Sequence, residues 1–471
     1  MALRWLLATW LLAVAVALRN GSQAAEPLAF SEVQTKLGKL RGQDYGKFVV
    51  YKGVPYAEKP ARFTEPVDKL PWGSETRDAT RFGDACVHGG RSLDILDPRE
   101  SYGNSEDCLY ANLWVPKVHR WFRGPLPVIV FIHGGGFIVE AGSNPAFWGD
   151  EVVQDPEKPV IYISFNYRLG IFGFYSSDDT GANFGLMDQQ QLLKFVHDHI
   201  SAFGGDPTQV TISGQSAGAM SVLCHLAAPG SKDLFHRAIA ISPVGLHYRE
   251  TSENEAFVRS VAVAAGCFLW RNVTECLRAL PALALEAIDI VPDYLFHFSG
   301  PCKECDNFLP WLPVVEKKTL PVSPVLAIRE GYHHKVPVLI SSTANETLGF
   351  FPTPVMPLGK LTYDMLLDLL MKDRAPAVKH HYETSPDTAH MREGMSLMGI
   401  VSTDALMGCY TRYVARQLAK HMPSYLSVFT HVPSSCDMPL NLLCMNGRSS
   451  GAACHACDLP YQLMRPERSS L

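Results

Sequence analysis

One stretch of thirteen residues, Val210 to Val222, constrains this chain more than any other. A β-branched run ending at Ser213 leads into Gly214-Gln215-Ser216-Ala217-Gly218, and a helix-compatible run follows at once. A chain that passes from buried strand to helix in five residues must turn sharply, and glycine at both ends of the turn leaves room for that. Such a turn pushes the central serine hydroxyl out at the strand's C-terminal edge. The helix behind it directs unsatisfied N–H groups toward any negative charge that develops there. The G-x-S-x-G pattern alone is short and common. Its position between strand and helix gives it meaning.

The rest of the chain repeats this alternation. Apolar runs rich in β-branched and aromatic residues occur at 127–132, 159–165, 209–213, 237–242, 336–340 and 425–430. Helix-like segments lie at 186–201, 217–227, 253–266 and 390–420. Runs that are apolar throughout suit strands covered on both faces, as in a parallel sheet, and strand–helix alternation indicates an α/β fold. The first 60 residues read instead as a small antiparallel meander with turns near Gly38, Gly42 and Gly53. A hydrophobic content of 47% in 471 residues supports a large core and excludes a disordered chain. The net charge of -5, without a basic block, lacks the electrostatic footprint of a nucleic-acid binder.

A second glycine-rich turn follows another buried strand. His133-Gly134-Gly135-Gly136-Phe137 lets backbone amides approach a ligand without side-chain obstruction. It has the form of the oxyanion loop that partners a nucleophilic serine. With these two motifs in order, and with Ser105–Trp114, Asn166–Phe174, Asn183–Gln189 and Phe203–Pro207 beside them, residues 27 to 471 resemble the type-B carboxylesterase/lipase family, which includes the cholinesterases. The resemblance implies an α/β-hydrolase fold: a central, mostly parallel twisted sheet with helices on both faces, and a small N-terminal antiparallel meander. It also implies that one catalytic domain occupies 25–471. The family pattern continues for several tens of residues beyond its histidine loop, whereas this sequence stops 16 residues after His455, so the domain is expected to be short at the C-terminus.

The same resemblance assigns roles. Ser216 corresponds to the nucleophile, and Glu346, after the run Val336–Ser342, to the acid. His455, within Cys454-His455-Ala456-Cys457-Asp458, corresponds to the base. Ser216 would attack the ester carbonyl and His455 would relay the proton. Glu346 would orient the imidazole. The N–H groups of Gly135, Gly136 and Ala217 would hold the oxyanion. His133 would support that loop. No metal or organic cofactor is required. Gln215 stands where the family commonly has Glu, as it does in some insect juvenile-hormone-type esterases. Between Cys86 and Cys108 there is no Trp to grip a quaternary ammonium by cation–π attraction, which disfavours choline esters. The expected partner is a small-molecule or lipid-like ester. The rival reading is a secreted binding or adhesion member of the family. Those typically lose a triad residue, and all three are present here.

The N-terminus and the cysteines address compartment. Residues 1–24, with Arg4 before an apolar run and small residues at the end, read as a signal peptide, so a secreted or luminal protein is expected. No other run is long and apolar enough for a transmembrane helix. Family patterns pair Cys86 with Cys108 and Cys267 with Cys276; Cys224, on the helix after the serine turn, is expected to be a buried free thiol. Cys302, Cys305, Cys409, Cys436, Cys444, Cys454 and Cys457 receive no assignment. A zinc site from Cys302, Cys305, Cys454 and Cys457 is disfavoured because the two pairs lie about 150 residues apart. Of the sequons at Asn20, Asn272 and Asn345, Asn272 is the expected glycosylation site, and Asn345 is expected bare because it neighbours Glu346.

Overall fold

The computed structural model describes residues 29–88, 103–117, 124–290, 309–348, 359–385, 388, 394–432 and 453–463. Ten strands form the path of one large sheet: β1 (Ala29–Thr35), β2 (Gly38–Asp44), β3 (Phe48–Pro55), β4 (Tyr110–Pro116), β5 (Leu126–Ile132), β6 (Ile161–Phe165), β7 (Gly205–Gln215), β8 (Arg237–Ile241), β9 (Val338–Thr343) and β10 (Ser424–Phe429). Their spatial order is β1-β2-β3-β4-β6-β5-β7-β8-β9-β10. The pairs from β1 to β6 are antiparallel, and those from β6 to β10 are parallel. A short strand, Thr76–Asp78, pairs with β2 outside this path. The N-terminal meander is thus one wing of the main sheet, because β3 pairs directly with β4.

Side-chain alternation shows how the sheet is covered. On β5, Val128, Val130 and Ile132 enter the principal apolar core. Phe131 points to the other face and joins Trp114, Tyr162, Phe147 and Ile241 in a second buried cluster. Successive side chains on a strand face opposite ways, so the central strands are dry on both sides. This explains why they are apolar throughout rather than alternating. Helix α1 (Ala217–Ala227) packs against β7 and β8 and is buried along nearly its whole length.

One expectation needs correction. The apolar run at 425–430 was expected to form a strand covered on both faces. It forms β10, but Tyr425, Leu426 and Val428 are 61%, 46% and 47% exposed. Among the described residues β10 ends the sheet's strand order and pairs with β9 alone, and a strand with one neighbour has less to bury it. The helix expected at 390–420 is present: Gly394–Thr403 and Cys409–Leu418 run on without a break through a π-helical stretch at Asp404–Gly408. Asp404 accepts hydrogen bonds there from Tyr382 and Arg412, at 2.8 and 2.7 Å, holding the widened turn from two sides.

Candidate active site

Ser216 sits where β7 ends and α1 begins, with φ 59° and ψ −122°. Few L-residues adopt such angles, and they persist only where the surroundings enforce them. The two flanking glycines supply the enforcement. A Cβ on Gly218 would lie 2.0 Å from the Ile132 carbonyl oxygen, and one on Gly214 would lie 2.4 Å from the Gly218 carbonyl oxygen. Only hydrogen fits at either position, so helix and strand can close on the turn. The Ser216 N–H donates to Ile241 O at 2.9 Å, tying the turn to β8. Cys224, on the same helix, is fully buried, and burial pushes its thiol up to about 12, which leaves it unreactive.

The loop after β5 lies directly against this turn. A Cβ on Gly134 would come within 3.0 Å of the Ser216 Cβ. Gly135 and Gly136 have φ of 94° and 63°, and the Gly135 carbonyl accepts from Ile138 and Val139 at 3.0 and 3.1 Å. These bonds fold the loop back on itself. Ala217 is the first residue of α1, so its N–H has no acceptor within the helix. His133 stacks on Tyr167 at 4.4 Å between ring centroids, and the Tyr167 hydroxyl donates to its carbonyl at 2.9 Å. Burial lowers the His133 pKa to about 4, so its ring packs as a neutral group.

Glu346 lies just beyond β9 and is fully buried. One carboxylate oxygen accepts the Thr343 N–H at 2.6 Å, and the other lies 2.6 Å from His455 Nδ1. Two backbone bonds fasten the histidine segment to the same place: His455 N–H to Glu346 O at 3.2 Å, and Asn345 N–H to Ala453 O at 2.9 Å. With a carboxylate facing Nδ1, the ring proton belongs there, and Nε2 carries the lone pair. The side-chain amide nitrogen of Gln215, the residue before Ser216, lies 2.9 Å from Nε2 and donates to it. The structure therefore gathers Ser216, Gln215, Glu346 and His455, from three separate stretches of chain, at the C-terminal ends of β7 and β9.

Sequence reasoning missed two participants. Gln215 was treated as a family variation, yet it is buried and touches His455. Asp458, three residues past His455, is fully buried. Burial, and then the negative charge of Glu346, push its carboxyl up to about 7, with His455 opposing. An acid inside an otherwise apolar run was the available signal. The remaining family segments proved architectural. Arg168 makes a two-pronged ion pair with Asp188, with both bonds at 2.8 Å, and its third nitrogen reaches Thr64 O. Asn166 bonds Gly142, Asp84 and Cys108, joining the loops around β6.

Disulfides join Cys86 to Cys108 and Cys267 to Cys276. Asn272 caps the helix Val273–Ala279, its side chain accepting from Glu275 N–H at 3.1 Å. Asn345 is half-buried beside Glu346. Asn20, Cys302, Cys305, Cys436 and Cys444 lie outside the described residues. Among the described residues, no three or more His, Cys, Asp or Glu side chains are grouped to hold a metal ion, and no helix is long and apolar enough to cross a membrane.

A mostly parallel sheet with an antiparallel wing, and a strained serine turn at its C-terminal edge, define an α/β-hydrolase. A solved structure of a PNB esterase shares this fold with a TM-score of 0.72 and 29% identity, covering 94% of this chain and 87% of that one. The sequence profile of the carboxylesterase family matches residues 29–470, and the chain belongs to that family. It is 35% identical to the para-nitrobenzyl esterase of Bacillus subtilis (strain 168) over 349 residues, 72% of this chain and 68% of that protein. It is 31% identical to the liver carboxylesterase of Sus scrofa over 467 residues, 91% of this chain and 80% of that protein. These relationships place it among the serine hydrolases of carboxylic esters, enzymes that act on small molecules.

Proposed function

We propose that Ser216, His455 and Glu346 form the catalytic triad and that hydrolysis proceeds through an acyl-enzyme on Ser216. The observation that carries this reading is the buried 2.6 Å contact between His455 Nδ1 and Glu346, two residues 109 apart in sequence. A carboxylate there fixes the imidazole with its lone pair on Nε2, the form needed to accept a proton. In the resting site Gln215 donates to that lone pair. As substrate enters, the Ser216 hydroxyl takes its place, gives its proton to Nε2 and attacks the carbonyl carbon. The N–H groups of Gly135, Gly136 and Ala217 receive the oxyanion, and such donors are each worth roughly 10²–10³ in rate. The imidazolium, stabilised by Glu346, returns the proton to the leaving alcohol. Water then repeats the sequence to release the acid.

Small to medium carboxylic esters, including lipid-like ones, are the proposed substrates. Residues 25–471 act as one catalytic unit in this reading. The leader-like segment 1–24 and the two disulfides support passage through the secretory pathway. Purified protein and the Ser216→Ala variant, assayed on p-nitrophenyl esters of graded chain length, test the mechanism. Wild type should release p-nitrophenol with a burst, and Ser216→Ala should lose at least about 10⁴-fold in turnover. Equal turnover by both proteins would overturn the assignment.

A further inference from the structure

The turn that carries His455 begins and ends in cysteine. Cys457 N–H donates to Cys454 O at 3.0 Å, closing a four-residue turn with His455 and Ala456 at its centre. Ala456 has φ 64°, so the third residue of the turn is left-handed. A turn of this kind keeps its first and fourth Cα atoms within about 7 Å, which overlaps the separation that a disulfide spans. Both cysteines are buried as thiols, and the Cys457 thiol is hydrogen-bonded to that of Cys454. The backbone has therefore already brought the two sulfurs together. The same chain holds disulfides at Cys86–Cys108 and Cys267–Cys276, which form and persist in oxidising surroundings.

We propose that Cys454 and Cys457 are a reversible dithiol–disulfide pair whose bridge clamps the catalytic-histidine turn in its working geometry. In the closing reaction each Sγ–H bond breaks and one Sγ–Sγ bond forms. Two electrons and two protons pass to a small-molecule disulfide such as glutathione disulfide, which becomes two thiols. In the dithiol state the turn keeps its hydrogen-bonded form but must hold a left-handed alanine without a covalent tie. The hydrogen bond to Cys454, and then burial, raise the Cys457 thiol, so exchange requires the turn to open and is slow in the folded protein. The bridge encloses His455 and leaves its ring outside, facing Glu346. The effect on activity rests on His455 being the general base; the bond itself does not.

The full-length protein equilibrated across ratios of reduced to oxidised glutathione, quenched with an alkylating agent and mapped by peptide mass spectrometry tests the bond. p-Nitrophenyl ester turnover on the same samples tests its consequence. A Cys454–Cys457 linkage should appear on oxidation, and reduction of that linkage alone should lower turnover by about tenfold, the scale of sub-ångström misplacement of a reacting group. The variants Cys454→Ser and Cys457→Ser should each lose the response to glutathione, whereas Cys224→Ser should keep it. Two alkylated thiols at every ratio, or Cys454 linked to a different cysteine, would overturn the proposal. So would a linkage that forms in an active enzyme without changing turnover. A wild type that forms the linkage but hydrolyses nothing overturns the triad assignment and leaves the bond established.

Discussion

The two turns that present Ser216 and His455 make opposite use of the same unusual backbone. Each places an L-residue at positive φ, 59° at Ser216 and 64° at Ala456. The serine turn is wedged between a strand and a helix, and the glycines beside it let carbonyl oxygens approach until a methyl group would collide. The histidine turn has no such wedge. It is held by backbone bonds, by the Glu346 carboxylate, and by the burial of Ala456, Leu459 and Leu463 in the apolar cluster that contains Phe131 and Ile241. Steric exclusion, as at Ser216, tolerates no change. A turn held by hydrogen bonds and a few apolar contacts can be loosened or tightened. In the proposed mechanism both groups gain from being fixed, and the histidine turn is the one that leaves room for a further tie.

The largest expected effect is chemical. On the proposed mechanism, His455→Ala should lower turnover by about 10⁴-fold or more, and adding Ser216→Ala should cost little beyond the single change, because members of a triad act as a unit. Steady-state kinetics of the two single variants and the double variant decide this; additive losses would break the functional link between the turns. Next is rigidity. Gly218→Ala, whose methyl would meet Ile132 O at 2.0 Å, should destabilise the fold by about 3 kcal/mol or more. Urea unfolding followed by circular dichroism measures it, and a near-neutral result would mean that the serine turn yields.

A third prediction concerns pH and belongs to the histidine turn. The Asp458 carboxyl titrates near 4 in an unfolded chain and at about 7 here. The folded state therefore binds the proton more tightly. This group's contribution is fully present below about pH 4 and is lost as pH rises through about 7. Wild type should lose stability over that interval relative to Asp458→Asn, as read by urea midpoints at successive pH values. Parallel curves would show that Asp458 carries its charge at no cost. The smallest effect is expected at Ala456→Gly. Relief of about 1 kcal/mol of left-handed strain is offset by the extra freedom glycine gives the unfolded chain, for a net change under about 1 kcal/mol. A loss as large as that of Gly218→Ala would erase the distinction between the turns.

Much of this molecule was legible in its residues, for local reasons. A β-branched run, two glycines and a helix former are enough to specify the serine turn, because the forces that shape it act within a few residues. The central strands were legible because a strand dry on both faces must be apolar along its length. By contrast, the exposure of β10 follows from its having a single neighbour among the described residues, which no feature of Tyr425–Thr430 encodes. Gln215 and Asp458 looked ordinary because their importance lies in what stands across from them. Gln215 and His455 are 240 positions apart in the chain, and their 2.9 Å contact exists only once the sheet has formed. The sequence by itself determined which side chains could do chemistry and how the serine turn must be bent. Only the tertiary structure decided which of them meet and which are dry enough to have shifted proton affinities. Burial and charge act across space, and the chain order does not record distance.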